Sequence, residues 1–296
     1  MSYSKFITVF TVLLFLFFGK INAQKITDEA SWNTVYDEGF SKMQSQLFAE
    51  ALPFLDEAYN SVTTYYNKES EEYLNSLHGY AASLYMVGRI EESKPLLELD
   101  LKLTEKYKGK EHKDYGERLN NMALIYQRIG EYEKSEATFE AALTNIELNY
   151  GKDHEEYSKT LGNFGALFIR TRDYDKALDL FIEIMEKPPL TEDMSFKALV
   201  LSNFAYTKFL SGKYNYKEVE IDLKKALSIS EGLNDDYTKL VASQDLARFY
   251  EASKTADSSL KYAKKSYELA KAIPINDYYL ESMLILSRLT EGEESK

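Results

Sequence analysis

The feature that most constrains this chain is a repeat with a period of 42 residues. Tyrosines, leucines and a longer series of large residues each recur at this spacing, and the longer series runs through five units. A fixed period of this length predicts an array of similar units, each burying its apolar face against its neighbours. The three series are Tyr73, Tyr115 and Tyr157; Leu77, Leu119 and Leu161; and Tyr59, Leu101, Leu143, Met185 and Leu227.

Each unit contains two marked positions with a turn between them. A small residue is followed 12 positions later, or 14 in the fifth unit, by a second position that is usually small. This pattern predicts a helix, a tight turn and a second helix, because two closely crossing helices leave little room for side chains at their contact. The first positions are Gly39, Ala81, Ala123, Gly165, Ala205 and Ala247; the second are Ala51, Ser93, Ser135, Ala177, Val219 and Ser259; the turn residues are Gln46, Gly88, Gly130, Arg172, Gly212 and Lys254.

The repeat predicts an all-α fold of about six helical hairpins and one further helix. Only 13 glycines and 5 prolines occur in 296 residues, which agrees with long helices. We expect a single domain over residues 24–296, with a final helix over 277–290 that caps the last hairpin. The six hairpins are predicted over 30–66, 70–108, 112–150, 154–187, 191–233 and 235–273.

The residues of these hairpins resemble tetratricopeptide repeats (TPR). The best match is LNNMALIYQRIGEYEKSEATFEAAL, residues 119–143. The 42-residue step, the lead-ins GKEHKDY and GKDHEEY, and Pro53 and Pro95 early in second helices are similar to the longer repeats of kinesin light chains. The resemblance covers about residues 30–290. It implies a right-handed α-α superhelical solenoid whose first helices line a concave groove that binds a protein or peptide segment.

The N-terminus has the layout of a secretory signal. Lys5 precedes an apolar run from Phe6 to Phe18, and Ala23 supplies a small residue for cleavage. The run is too short for a membrane anchor, and the chain has no cysteine for lipid attachment. We therefore expect residues 1–23 to be removed. The mature protein is then expected to be exported, to the bacterial periplasm or outside the cell, without stable membrane insertion.

Composition argues against most catalytic and metal chemistry. The net charge of −12 disfavours nucleic acid, and the chain has no cysteine and three histidines. Nucleotide-binding glycine loops, HExxH and GxSxG are absent. We expect neither an enzyme nor a cofactor or metal site. His112 and His154, again 42 apart, are predicted to mark helix starts. Paired carboxylates of a glycan hydrolase remain an open alternative, since 48 residues are acidic.

A ligand is expected on first-helix residues that packing does not need. Three asparagines each precede a small position by two residues, so stacking aligns them in a row. An amide both donates and accepts hydrogen bonds and so matches an extended peptide backbone. Basic side chains nearby could hold a carboxylate. The predicted groove residues are Asn121, Asn163 and Asn203, with Asn120, Gln127, Arg128, Lys159, Arg170, His78 and Tyr85 around them.

These observations predict an exported, non-catalytic scaffold or adaptor that binds an unidentified protein or peptide in its concave groove. One alternative is a regulatory or sensory module that controls a separate output protein, such as a kinase or protease. A more distant alternative is the α-helical glycan hydrolase.

Overall fold

The computed structural model describes residues 26–186, 193–233, 235–272 and 276–294, and within these ranges every regular element is an α-helix. The expected signal segment, residues 1–23, lies outside the described residues. The helices are α1 (Glu29–Gln44), α2 (Phe48–Tyr65), α3 (Glu71–Met86), α4 (Ile90–Lys108), α5 (Lys113–Arg128), α6 (Tyr132–Tyr150), α7 (Glu155–Thr171), α8 (Tyr174–Met185), α9 (Met194–Ser211), α10 (Tyr216–Gly232), α11 (Asp236–Ala252), α12 (Ala256–Ala272) and α13 (Asn276–Glu294).

Consecutive helices pair into hairpins that stack side by side. Each second helix also packs on the first helix of the next hairpin, and each first helix contacts the next first helix. The first helices α1, α3, α5, α7, α9 and α11 therefore form one continuous inner layer, while α13 packs on α12 and α11 at the end of the stack. This is the all-α solenoid predicted from the period.

The turns within the hairpins share one backbone conformation. Gln46, Arg172 and Lys254 have φ angles of 60°, 66° and 57°. The glycines at the equivalent positions of the other units also have positive φ, which a residue with a Cβ adopts only at some cost. The sequence prediction that these three residues replace a turn glycine is confirmed.

The two helical glycines at the small positions are required by close packing. A Cβ added to Gly165 would lie 2.8 Å from Cζ of Phe181, and one added to Gly39 would lie 2.9 Å from Cγ of Leu55. Real Cβ atoms do not approach other carbon atoms so closely. The expectation that these glycines serve helix packing is confirmed.

Serines at the second small position have a further role that the sequence did not indicate. Each donates its hydroxyl proton to the backbone carbonyl of the small residue 12 positions earlier, which joins the two helices of a hairpin. Because serine is short, the hydrogen bond forms without separating the helices. The pairs are Ser93 with Ala81 at 2.7 Å, Ser135 with Ala123 at 2.8 Å, and Ser259 with Ala247 at 2.9 Å.

His112 and His154 cap helices. Each accepts a hydrogen bond at its Nδ1 from a backbone N–H two residues later, of Asp114 and of Glu156, both at 3.2 Å. Their predicted place at the starts of α5 and α7 is confirmed. Within the described ranges, no helix has an apolar stretch long enough to cross a membrane.

Candidate functional site

The residues predicted for the groove all lie on first helices and hence in the inner layer. Arg170 is exposed and the others are half-buried, so each retains some accessible surface. Their helices are α3 for His78 and Tyr85; α5 for Asn120, Asn121, Gln127 and Arg128; α7 for Asn163, Lys159 and Arg170; and α9 for Asn203.

Four of these side chains form a chain of contacts across three hairpins, which we call the amide ladder: His78, Asn121, Asn120 and Asn163. The Nδ2 group of Asn163 donates to Oδ1 of Asn120 at 3.1 Å, and Nδ2 of Asn120 donates to Oδ1 of Asn121 at 3.4 Å. Nδ2 of Asn121 lies 3.4 Å from Nε2 of His78. The ladder thus links α7, α5 and α3 along the inner surface.

His78 is oriented by a carboxylate behind it. Its Nδ1 lies 2.7 Å from Oδ2 of Asp100, a residue of α4 whose side chain is fully buried. A proton on Nδ1 satisfies this carboxylate and leaves Nε2 as an acceptor for the amide of Asn121. The buried aspartate therefore selects the tautomer in which His78 can end the ladder.

Arg118 is a residue of this site that sequence reasoning missed. Its side chain is 4% exposed, with Nε 3.4 Å from Oδ2 of Asp100 and Nη1 3.2 Å from Glu117. Arg118 also acts on α1, because its charge opposes the rise in the pKa of Tyr36, which burial raises to about 12. The positive charge of Arg118 thus lies beside the buried negative charge of Asp100, beneath the ladder.

The pair Asp100–Arg118 could have been recognised from the repeat pattern of the sequence. Asp100 is the charged member of a column that is otherwise apolar, and Arg118 is the charged member of a column of small or amide side chains. A charge that enters such a column in one unit needs a partner nearby. The columns are Ala58, Asp100, Ala142, Ile184 and Ala226; and Ser76, Arg118, Thr160, Ser202 and Gln244.

The basic strip predicted beside the asparagines is weaker than expected. Lys159 forms ion pairs with Glu155 and Glu156 of its own helix. Burial opposes the charged form of Lys159, yet these glutamates raise its pKa. Among the described residues, Arg170 is exposed and has no ion pair, so it is better placed than Lys159 to hold an incoming carboxylate. Arg128 is half-buried.

The remaining predicted residues divide between packing and unused hydrogen-bonding capacity. Tyr85 packs against the apolar cluster around Ala81 and is held by it. In contrast, Oε1 of Gln127 is buried without a hydrogen-bond partner among the described residues. Asn203 is half-buried, and its side-chain amide has no hydrogen bond within the described ranges. Asn203 thus retains a polar group that a bound peptide could satisfy, whereas the free oxygen of Gln127 is closed to solvent.

The inner surface changes character at the C-terminal end. Oδ2 of Asp245 accepts the hydroxyl proton of Ser202 at 2.8 Å, and Nη1 of Arg248 lies 3.4 Å from Oδ1 of Asp245. Arg248 also pairs with Glu281 of α13 at 3.2 Å. Burial raises the pKa of Asp245 to about 6, although Arg248 opposes the rise. We call Ser202, Asp245, Arg248 and Glu281 the charged network; sequence reasoning missed it.

The N-terminal end of the inner layer is aromatic. Trp32 stacks on Tyr36 and Tyr36 on Phe40, with ring centroids 5.4 and 6.1 Å apart. Phe40 is 45% exposed. Among the described residues, no group of three or more histidine, aspartate or glutamate side chains is arranged to hold a metal ion. The inner surface as a whole offers hydrogen-bonding groups, aromatic rings and charged side chains.

The comparisons with known proteins agree with the fold. The tetratricopeptide repeat family model matches residues 117–186. No curated protein matches the chain. Several solved structures share the fold at low sequence identity. Apo RapI has a TM-score of 0.65 at 15% identity, over 85% of this chain and 88% of that one.

Two further structures are similar to this chain. The Rap conjugation gene regulator of plasmid pLS20, in complex with the Phr* peptide, has a TM-score of 0.64 at 13% identity, over 93% of this chain and 80% of that one. A Podosopora anserina protein with nearly identical TPR-like repeats of the kinesin light chain type has a TM-score of 0.53 at 15% identity, over 69% and 97%. Residues 117–186 therefore match tetratricopeptide repeats, and the chain shares its fold with proteins built from such repeats.

Proposed function

We propose that this protein is a non-catalytic adaptor that binds a peptide or an unfolded protein segment along its inner surface. The observation that carries the proposal is the amide ladder, which joins three successive first helices. Within the described residues, its three asparagine side chains hydrogen-bond to each other and to His78, at 3.1 to 3.4 Å. Neutral hydrogen bonds at the long end of the usual range are readily exchanged for those of a ligand.

The row of asparagines extends beyond the ladder. Asn203 follows Asn163 on the next first helix, and its amide is available within the described structure. An extended peptide presents a donor and an acceptor at each residue. Amides along the groove can therefore bind a peptide backbone regardless of its sequence, while Arg170 adds a preference for acidic side chains or a free carboxylate.

The peptide-bound Rap regulator supports the proposal by analogy of fold. That protein was solved with a peptide, and its fold covers most of this chain. At 13% identity the likeness extends to the fold alone, so the residues that would contact a peptide here are argued from this chain's own inner surface.

The test is selection of ligands from random linear peptides about 12 residues long, which span roughly 40 Å when extended. The bait is the chain from residue 24 onward. Peptides that bind it are then titrated against a variant with Asn121, Asn163 and Asn203 replaced by alanine. Each lost hydrogen bond is worth about 1 kcal/mol, so we expect the affinity to fall by more than tenfold.

A matched control variant carries Asn60→Ala, Thr63→Ala and Thr64→Ala. These residues are exposed, neutral and polar, and they lie on α2, a second helix. Peptide affinity should be unchanged in the control, and both variants should keep the wild-type helical content. Equal affinity for the wild type and the inner-surface variant would contradict the proposal.

A regulatory module is the second candidate, favoured by the likeness to a conjugation gene regulator. In that case, peptide binding must change the affinity for a separate output protein. Pull-down of such a protein with and without a saturating selected peptide separates the two candidates, since a simple adaptor recovers it equally in both.

We further propose that the protein is exported after removal of residues 1–23. Support comes from the apolar run after Lys5 and the small residue Ala23. Mass spectrometry of the protein purified from cell envelopes should give Gln24 as the first residue. An intact Met1 in the cytoplasmic fraction would contradict export.

A further inference from the structure

One hydrogen bond joins the two ends of the solenoid. Nε2 of Gln46, in the turn between α1 and α2, donates to Oδ2 of Asp235 at 3.2 Å. Asp235 is the residue before α11, 189 positions further along the chain. Hairpin one thus contacts the start of hairpin six, although four hairpins lie between them.

The contact changes the environment of Gln46. The turn residues at the five equivalent positions are all exposed, whereas Gln46 is half-buried, and its Oε1 is fully buried. Asp235 is engaged from both sides: Oδ1 caps α11 by accepting from the N–H groups of Tyr237 and Thr238 at 3.0 and 3.1 Å, while Oδ2 accepts from Gln46. The cap therefore holds the carboxylate in position for the second contact.

The topology shows what this contact means. In a stack of hairpins, the turns inside hairpins lie along one edge and the loops between hairpins lie along the other edge. Gln46 belongs to the first kind and Asp235 to the second. A contact between opposite edges forms when the superhelix has completed one turn and its end reaches its beginning. The hydrogen bond between Gln46 and Asp235 thus indicates that hairpins one to six curve around the inner surface until hairpin six reaches hairpin one.

We propose that Gln46 and Asp235 form a latch that closes the solenoid into a ring, and that the closed ring accepts a ligand only by a free chain end. This inference rests on the proposed function, since it concerns ligands of the same inner surface. A closed ring can be threaded by a chain terminus. When both ends of a chain are held in folded domains, its middle segment can enter the ring only if the seam at Gln46 and Asp235 opens.

The first experiment measures the seam without any ligand. The chain has no cysteine, so spin labels can be placed on Leu47→Cys and Asp236→Cys alone, both exposed residues beside the latch. Pulsed dipolar spectroscopy should give one short, narrow distance distribution. Gln46→Glu places a second carboxylate against Asp235 and should lengthen and broaden the distribution.

The matched control for the latch is Gln44→Glu. This residue is exposed at the end of α1 and undergoes the same change of charge two positions away. Its distance distribution should equal that of the wild type. A distribution that is already broad in the wild type, or that Gln46→Glu leaves unaltered, would overturn the latch.

The second experiment tests the free-end rule, by which ligands enter the closed ring only by a free chain end. Random 12-residue segments, which span roughly 40 Å when extended, are displayed in two forms: with a free amino terminus, or within a surface loop of a folded carrier domain. The wild type should enrich binders from the free-end form at least about tenfold over the loop form. Gln46→Glu should enrich both forms.

The outcomes separate this inference from the proposed function. Equal enrichment of loop segments by the wild type would overturn the free-end rule while leaving peptide binding intact. Absence of binders in both forms would contradict the proposed function and the free-end rule together. The spin-label distances alone decide whether the latch exists.

Discussion

The middle and the C-terminal end of the inner surface are built on the same repeat but present different chemistry. In the middle, the asparagines of the amide ladder are neutral, and the contacts along the ladder are 3.1 to 3.4 Å long. At the C-terminal end, the charged network of Ser202, Asp245, Arg248 and Glu281 is internally paired. Neutral amides can exchange partners at low cost, whereas a buried carboxylate cannot leave its arginine without a large penalty.

Under the proposed function, this difference separates stability from binding along one repeat array. The charged network joins α9, α11 and α13, and it holds the last hairpins together. The middle region places its own charges, Asp100 and Arg118, behind the ladder and leaves amides at the surface. Under the proposed function, the neutral amides in the middle of the inner surface contact the ligand, whereas the buried charges at its C-terminal end are structural.

The largest effect is expected from Arg118→Met, which tests whether the charge pair behind the ladder is part of the folded core. Among the described residues, the change leaves the buried carboxylate of Asp100 with His78 as its one side-chain partner. Removing one member of a buried pair costs about 3 to 5 kcal/mol of the free energy of unfolding. Urea denaturation measures this loss. Arg89→Met, which removes the exposed pair with Glu92, should cost less than about 1 kcal/mol. Equal losses in the two variants would contradict a buried role for Arg118.

The second prediction concerns the pH dependence of the charged network. The folded-state pKa of Asp245 is raised from 3.8 to about 6, chiefly by burial. The folded protein therefore binds this proton more tightly, and the stabilisation is lost as the pH rises from about 4 to 6, by up to about 3 kcal/mol. Asp245→Asn lacks this loss. Its stability relative to the wild type should therefore increase over that interval in urea denaturation at several pH values. Parallel profiles would show that Asp245 does not titrate there.

A smaller effect is expected from Asn163→Ala within the ladder. This side chain is half-buried and donates one hydrogen bond, to Asn120. The free energy of unfolding should fall by about 1 kcal/mol. Thermal unfolding followed by circular dichroism measures the change. A loss as large as that of Arg118→Met would make the ladder structural and remove the contrast between the two regions.

The smallest effect on stability is expected from Asn203→Ala. The amide of Asn203 has no hydrogen bond in the described part of the chain, so stability should change by less than about 0.5 kcal/mol. Affinity for a selected peptide should nevertheless fall about as much as in Asn121→Ala. If affinity is unchanged, the binding surface ends at Asn163.

Local features of the fold could be predicted from the sequence. Gln46, Arg172 and Lys254 were identified as turn residues by their place in the period, and their positive φ angles follow from that place. Gly39 and Gly165 were likewise assigned to packing. These predictions depend on positions within one hairpin, where the spacing along the chain determines the contacts.

Contacts between distant hairpins could not be predicted in the same way. The row of asparagines was predicted, but not that Asn163 pairs with Asn120, because that choice depends on the offset between adjacent hairpins. The contact of Gln46 with Asp235 depends on small rotations added over all the intervening hairpins. The total rotation cannot be read from the sequence of any single repeat.

The most direct test of peptide binding at the inner surface is nuclear magnetic resonance of asparagine side chains. The chain is labelled with ¹⁵N at asparagine and titrated with a selected linear peptide, and single alanine variants assign the signals. The account predicts that the side-chain N–H signals of Asn121, Asn163 and Asn203 shift, while that of Asn60 on α2 does not. Saturable binding that shifts Asn60 and leaves the three inner asparagines unchanged would contradict it.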